Sequence, residues 1–142
     1  MARLATLALD DPRRTDSARE LLERAETLLV RTASGYPADE FSAAYLAALR
    51  GAGAVLALYE RSTRTGSRSA WHRLPKVAPE MQKWATYFAR FSDLRADLAA
   101  GLQRPVSSQV AAEVAYQVDI FLDDVDAEII RVEQGRSTPH AA

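Results

Sequence analysis

The chain has 142 residues, of which 48% are apolar and 26% charged, and its net charge is -1. That length suits one domain that buries a sizeable core without covalent staples, and the composition is that of an ordinary globular protein. The absence of cysteine excludes a disulfide framework, a thiolate metal site and a cysteine nucleophile, and fits a cytoplasmic location, which is the expectation.

The sequence reads in three parts: a flexible tail over 1–14, one helical domain over 15–134 and a second flexible tail over 135–142. The first tail, "MARLATLALDDPRR", has an apolar patch that Asp10 and Asp11 end too soon for a signal peptide. In "TDSARELLERAETLLVRTASG", Ser17 followed by Glu20 has the form of a capping box. Leu21, Leu22, Ala25, Leu28 and Leu29 recur at helical spacing, and Gly35 is the expected stop. "YPADEF" opens a second helix, with Pro37 in the first turn and Asp39 and Glu40 at the positive end of the dipole, and the helix is expected to run to about Arg61. Within it Ala44, Ala47, Gly51, Ala54 and Leu58 form a strip of mostly small side chains, suited to close approach by another helix. Even so, no apolar run is expected to approach the length that spans a membrane.

"RSTRTGSRS" reads as a loop. Ser67 or Ser69 is positioned to cap a short helix carrying Trp71 and Leu74, and Pro75 is expected to end or kink it. A third long helix is predicted from Pro79 to Gly101, with Met81, Trp84, Ala85, Phe88, Phe91, Leu94 and Leu98 on its apolar face. Ser107 or Ser108 caps the last helix, with Val106 as a staple. Its apolar face is Val110, Val114, Val118, Phe121, Leu122, Val125, Ile129 and Val132, and Gly135 is its expected end. No segment alternates as a strand does. The prediction is an all-α, antiparallel up-and-down bundle of four long helices and one short one.

Charge is segregated along the chain. Residues 61–76 hold Arg61, Arg64, Arg68, Arg73 and Lys76 and no acid, whereas residues 109–130 hold six acids and no base. Arg64, Arg68, Arg73 and Lys76 are therefore candidates for contact with nucleic-acid or nucleotide phosphate, or for docking on the acidic helix of the same chain or of a second copy. Asp119, Asp123 and Asp126 share one helix face. As a set they are candidate ligands for Mg²⁺, as in all-helical pyrophosphohydrolases, and the bland reading is a solvated face. Glu20, Glu23 and Glu26 make a second such set. His72, one helical turn after Arg68, is the candidate general base for phosphodiester cleavage, with Arg68 steadying phosphate charge, and its bland reading is an exposed histidine. His140 lies in the expected tail. "GAGAVL" at 51–56 lies inside a helical pattern with no strand before it, so it is read as close packing rather than a dinucleotide fingerprint. No cofactor is expected.

"YLAALRGAGAVLAL", "RSAWHRLPKVAPEMQKWATYFA" and the late "FLDDV" together resemble the small actinobacterial branch of HEPN domains (higher eukaryotes and prokaryotes nucleotide-binding), over about residues 15–130. The resemblance implies an up-and-down helical bundle and a tendency to form homodimers. Active HEPN ribonucleases carry an arginine, four to six residues and a histidine. Here Arg68 and His72 are separated by three residues, as are Arg136 and His140, and Arg64 and His72 by seven. No catalytic site is carried over on the resemblance. The expected function is a non-catalytic RNA- or nucleotide-binding module, or one that assembles with a protein partner or a second copy. A divergent, toxin-like endoribonuclease using Arg68 and His72 and a Mg²⁺-dependent nucleotide pyrophosphohydrolase are the alternatives.

Overall fold

The computed structural model describes residues 11–31, 35–61 and 68–137; Arg64, His140 and most of the expected N-terminal tail lie outside them. Among the described residues six α-helices follow one another: α1 (Pro12–Val30), α2 (Pro37–Tyr59), α3 (Ala70–Val77), α4 (Gln82–Ala89), α5 (Ser92–Ala99) and α6 (Ser108–Ser137), with a 3₁₀ turn at Pro79–Met81 before α4. No strand occurs among the described residues. The fold is all-α.

Named contacts fix the topology. Arg14 reaches the end of α2 at Glu60, and Leu21 lies beside Gly53, so α1 and α2 run antiparallel. Gly51 faces Phe121 and Leu122 while Tyr59 bonds Glu128, so α2 and α6 run parallel. Trp84 meets Asp124, Phe91 meets Phe41 and Tyr45 meets Ser92, so the arm of α4 and α5 runs against both. The chain thus goes up, down, up and down. The two parallel members, α2 and α6, touch across the middle because the small strip of α2 allows it. Ala44, Ala47, Gly51, Ala54 and Leu58 are all buried.

The core is aromatic at one end. Trp71, Trp84, Phe88 and Phe121 cluster there, with Trp71 stacked on Phe88 at 4.9 Å between centroids and Trp84 lying 5.4 Å from Phe121. Farther along α6, Val125, Ile129 and Val132 continue the apolar seam.

Helix ends show where local rules were met and where stronger ones intervened. Ser69 caps α3, its hydroxyl accepting from the His72 N–H, and Ser107 accepts from the Val110 N–H at the start of α6. Gly101, at φ +82°, closes α5: its N–H bonds the Leu98 carbonyl and the Leu102 N–H bonds that of Asp97, which is a Schellman motif. The Ser17 capping box does not form. Helix α1 is capped six residues earlier, because Pro12 sits in its first turn and Asp11 accepts the Arg13 N–H. Likewise α6 runs past Gly135 to Ser137.

Two prolines were expected to bracket a bend, and only one does. Pro75 neither ends nor interrupts α3, which continues to Val77. The missing Pro75 N–H removes one helical bond, while burial of Trp71 and Leu74 in the turn before it holds the helix and the Ala78 N–H still bonds the Leu74 carbonyl. The predicted third long helix is instead divided at Arg90–Phe91, where the Phe91 N–H bonds Phe88 at i−3. That tighter turn puts the Phe91 ring 5.8 Å from Phe41, and beyond it no residue of α5 is fully buried.

Helix α2 also corrects the expectation about apolar length. It is long and apolar enough by composition to cross a membrane, but 61% of its most apolar window is buried inside the bundle, as befits a central helix.

Candidate nucleic-acid interface

The short helix α3 carries most of the predicted site. Trp71 and Leu74 anchor its inner face. The Trp71 indole N–H donates to the Tyr45 hydroxyl at 2.8 Å, and that hydroxyl also lies 3.1 Å from Ser92 Oγ. Anchoring turns the other face outward. His72 and Lys76, one turn apart, are exposed, and so is Arg68 just before the cap.

Arg73 behaves differently from its neighbours. Its guanidinium holds Glu60 through both oxygens, Nη2 to Oε1 at 2.5 Å and Nε to Oε2 at 2.9 Å. Both side chains are about one-fifth exposed or less, at 21% and 14%. The bond to Glu60 keeps Arg73 protonated more firmly than an ordinary arginine. Its fork is thus occupied within the chain, and the structure gathers Arg68, His72 and Lys76 on the outside while setting Arg73 apart. Beside this pair, Arg14 donates to the carbonyls of Ala57 and Glu60, covering the end of α2.

The acidic stretch divides in the same way. Asp126 is taken by Arg19, which also holds Glu133 through two bonds. Those contacts raise the Arg19 pKa above its usual range. Asp124 accepts the Trp84 indole N–H at 2.8 Å. Asp119 and Asp123 are exposed and make no ion pair among the described residues. No three carboxylates or histidines among the described residues lie close enough to hold a metal ion, the arrangement that a Mg²⁺ site of Asp119, Asp123 and Asp126 would need.

One chemically specific cluster was missed from the sequence. Glu128, 6% exposed, accepts from the Tyr59 hydroxyl and from Arg131, which in turn lies 3.8 Å from Glu80. Burial, and next the bond to Glu128, push the Tyr59 hydroxyl well above its usual pKa. The signal was available: Glu128 follows Phe121 by seven positions and Val125 by three, which places it on the buried face of α6. The cluster joins the 3₁₀ turn, α2 and α6 through these bonds.

Neither the curated proteins nor the solved structures gave a match to this chain. A family model did: residues 31–126, which span α2 through most of α6, match SAV_6107-like HEPN. With two-thirds of its length so matched and an all-helical up-and-down fold, the chain belongs to the SAV_6107-like HEPN family.

Proposed function

We propose that this protein is a non-catalytic HEPN module that binds RNA phosphates through the exposed cations at and before α3. The observation that carries this reading is that Arg68, just before the cap of α3, and His72 and Lys76, one turn apart on it, all face water, while the other face of the helix is locked by Trp71. Cations of that kind contact phosphates without reading bases, and their binding falls as salt rises. Cleavage of a phosphodiester asks for more: a base held by a second group and a charge stabiliser in surroundings that exclude water. His72 and Arg68 are both exposed, where such effects are screened.

The test is a gel with end-labelled RNA that reads binding and cleavage together. Wild type is expected to bind without cutting, and Arg68→Ala and Lys76→Ala to weaken binding several-fold at low salt. An excess of mononucleotide that displaces the RNA would reassign the surface to nucleotides. Cleavage that vanishes in His72→Ala would make the chain an endoribonuclease with a contracted motif. Neither binding nor cleavage would shift the assignment to protein assembly.

A further inference from the structure

A groove of about 560 Å³ runs between α1 and α6, away from α3. Its walls carry four carboxylates: Glu26 from α1, and Asp119, Asp123 and Asp126 from α6. Only Asp126 meets a cation among the described residues, through Arg19. Leu122 lies in the groove wall, and Val30 and Tyr116 stand at it with 83% and 61% of their surface exposed. An apolar pair so exposed, ringed by uncompensated negative charge, is an unusual surface for a solvated helix face.

We propose that this groove docks a cationic amphipathic helix from a partner protein, with an apolar side chain of that helix seated between Val30 and Tyr116 and its lysines or arginines on Asp119, Asp123 and Glu26. The complementarity is in charge and in pitch. Asp119 and Asp123 are one helical turn apart, about 6 Å along the axis, which is the interval between cations at i and i+4 on an incoming helix. Seating an amphipathic helix in a groove between two others is an established recognition mode in which apolar anchors supply affinity and flanking charges supply orientation. Nucleic acid is repelled from the same surface, so this site is independent of the cations around α3.

The probe is a labelled synthetic helix of leucine and alanine with lysines at i, i+4 spacing, followed by fluorescence anisotropy against the full chain. Wild type is expected to bind it, and to bind a glutamate version of the peptide not at all. Asp119→Asn combined with Asp123→Asn is expected to weaken binding by about tenfold, and Tyr116→Ala several-fold. All three side chains are exposed, so the melting temperature should hold. Asp16→Asn combined with Asp93→Asn, the same charge change at exposed positions elsewhere, should leave binding unchanged. Equal losses in the two pairs would reduce the effect to diffuse charge and overturn the proposal, as would no binding by wild type. Self-association of wild type that disappears in the Asp119/Asp123 variant would make a second copy the occupant and also overturn it.

Discussion

A Cβ placed on Gly51 would stand 2.7 Å from Leu122 Cδ2 and 3.1 Å from Phe121 Cε2. Here α2 and α6 pack closely, and the two glycines of α2 answer to their neighbours differently. Gly53, two residues on, would set its Cβ 3.7 Å from Leu21 Cδ1, an ordinary contact. Helix propensity favours alanine over glycine by about 1 kcal/mol at either site. At Gly51, overpacking costs about 1–3 kcal/mol and outweighs that gain. Gly51→Ala should therefore lower stability by about 1 kcal/mol, and Gly53→Ala should raise it by up to ~1 kcal/mol. Urea titrations of the two variants check the opposite signs.

Trp71 is 4% exposed and ties α3 to α2 through Tyr45. Trp71→Ala should cost about 3–5 kcal/mol. Trp71→Phe keeps most of the ring burial and the stack on Phe88 but leaves the Tyr45 hydroxyl without its indole donor, for about 1–2 kcal/mol. Thermal melts that find the phenylalanine variant as stable as wild type would refute a separate role for the hydrogen bond.

Arg73 and Lys76 are three residues apart and should fail in different ways. Arg73→Gln leaves the Glu60 carboxylate, itself largely buried, without its fork, and should destabilise the fold by about 1–3 kcal/mol. Arg68→Ala and Lys76→Ala should leave the melting temperature within experimental scatter and act on RNA binding alone. A calorimetric comparison of the three variants, set beside their RNA affinities, separates the structural cation from the solvent-facing ones.

Tyr59 gives a pH dependence with a definite sign. Its hydroxyl ionises less readily in the folded chain than the ordinary value of 10.0. A folded-state pKa raised in this way contributes stability that is complete below about pH 10 and is lost as pH climbs above it, toward the folded pKa. Stability should therefore fall through the alkaline range beyond about pH 10, and Tyr59→Phe should flatten that limb while lowering stability at neutral pH, because Glu128 loses a donor. Denaturant midpoints measured on both proteins at neutral and alkaline pH test this. A limb that stays equally steep in the variant would assign it to other groups.

Much of the fold was legible because it rests on periodicity. The seam of Val114, Val118, Phe121, Val125 and Ile129 and the small strip of α2 were written in the spacing, and so was the close of α5 at Gly101, where only a residue tolerant of positive φ fits easily. The failures were competitions that local rules do not resolve. Pro75 argued for a helix end, and the burial of Trp71 and Leu74 overrode it. Ser17 and Glu20 had the form of a cap, but Asp11 and Pro12 offered an earlier one. The turn at Phe91 depends on Phe41, which lies fifty residues away. At the candidate site the sequence showed where cations are dense but not which are free. Arg73 and Lys76 look alike in the sequence, and only the return of Glu60 at the end of α2 distinguishes them.

The bond between Glu60 and Arg73 has a consequence for whatever meets the residues between them. Glu60 caps the end of α2 and Arg73 lies in α3, so their ion pair ties the two ends of the connection between these helices together. The entropy of bringing its two ends together is lost when the chain folds, not when a ligand arrives. Because the added closure entropy grows slowly, by about 0.6 kcal/mol for each doubling of length, lengthening the connection between Glu60 and Arg73 is expected to cost little while their ion pair is kept.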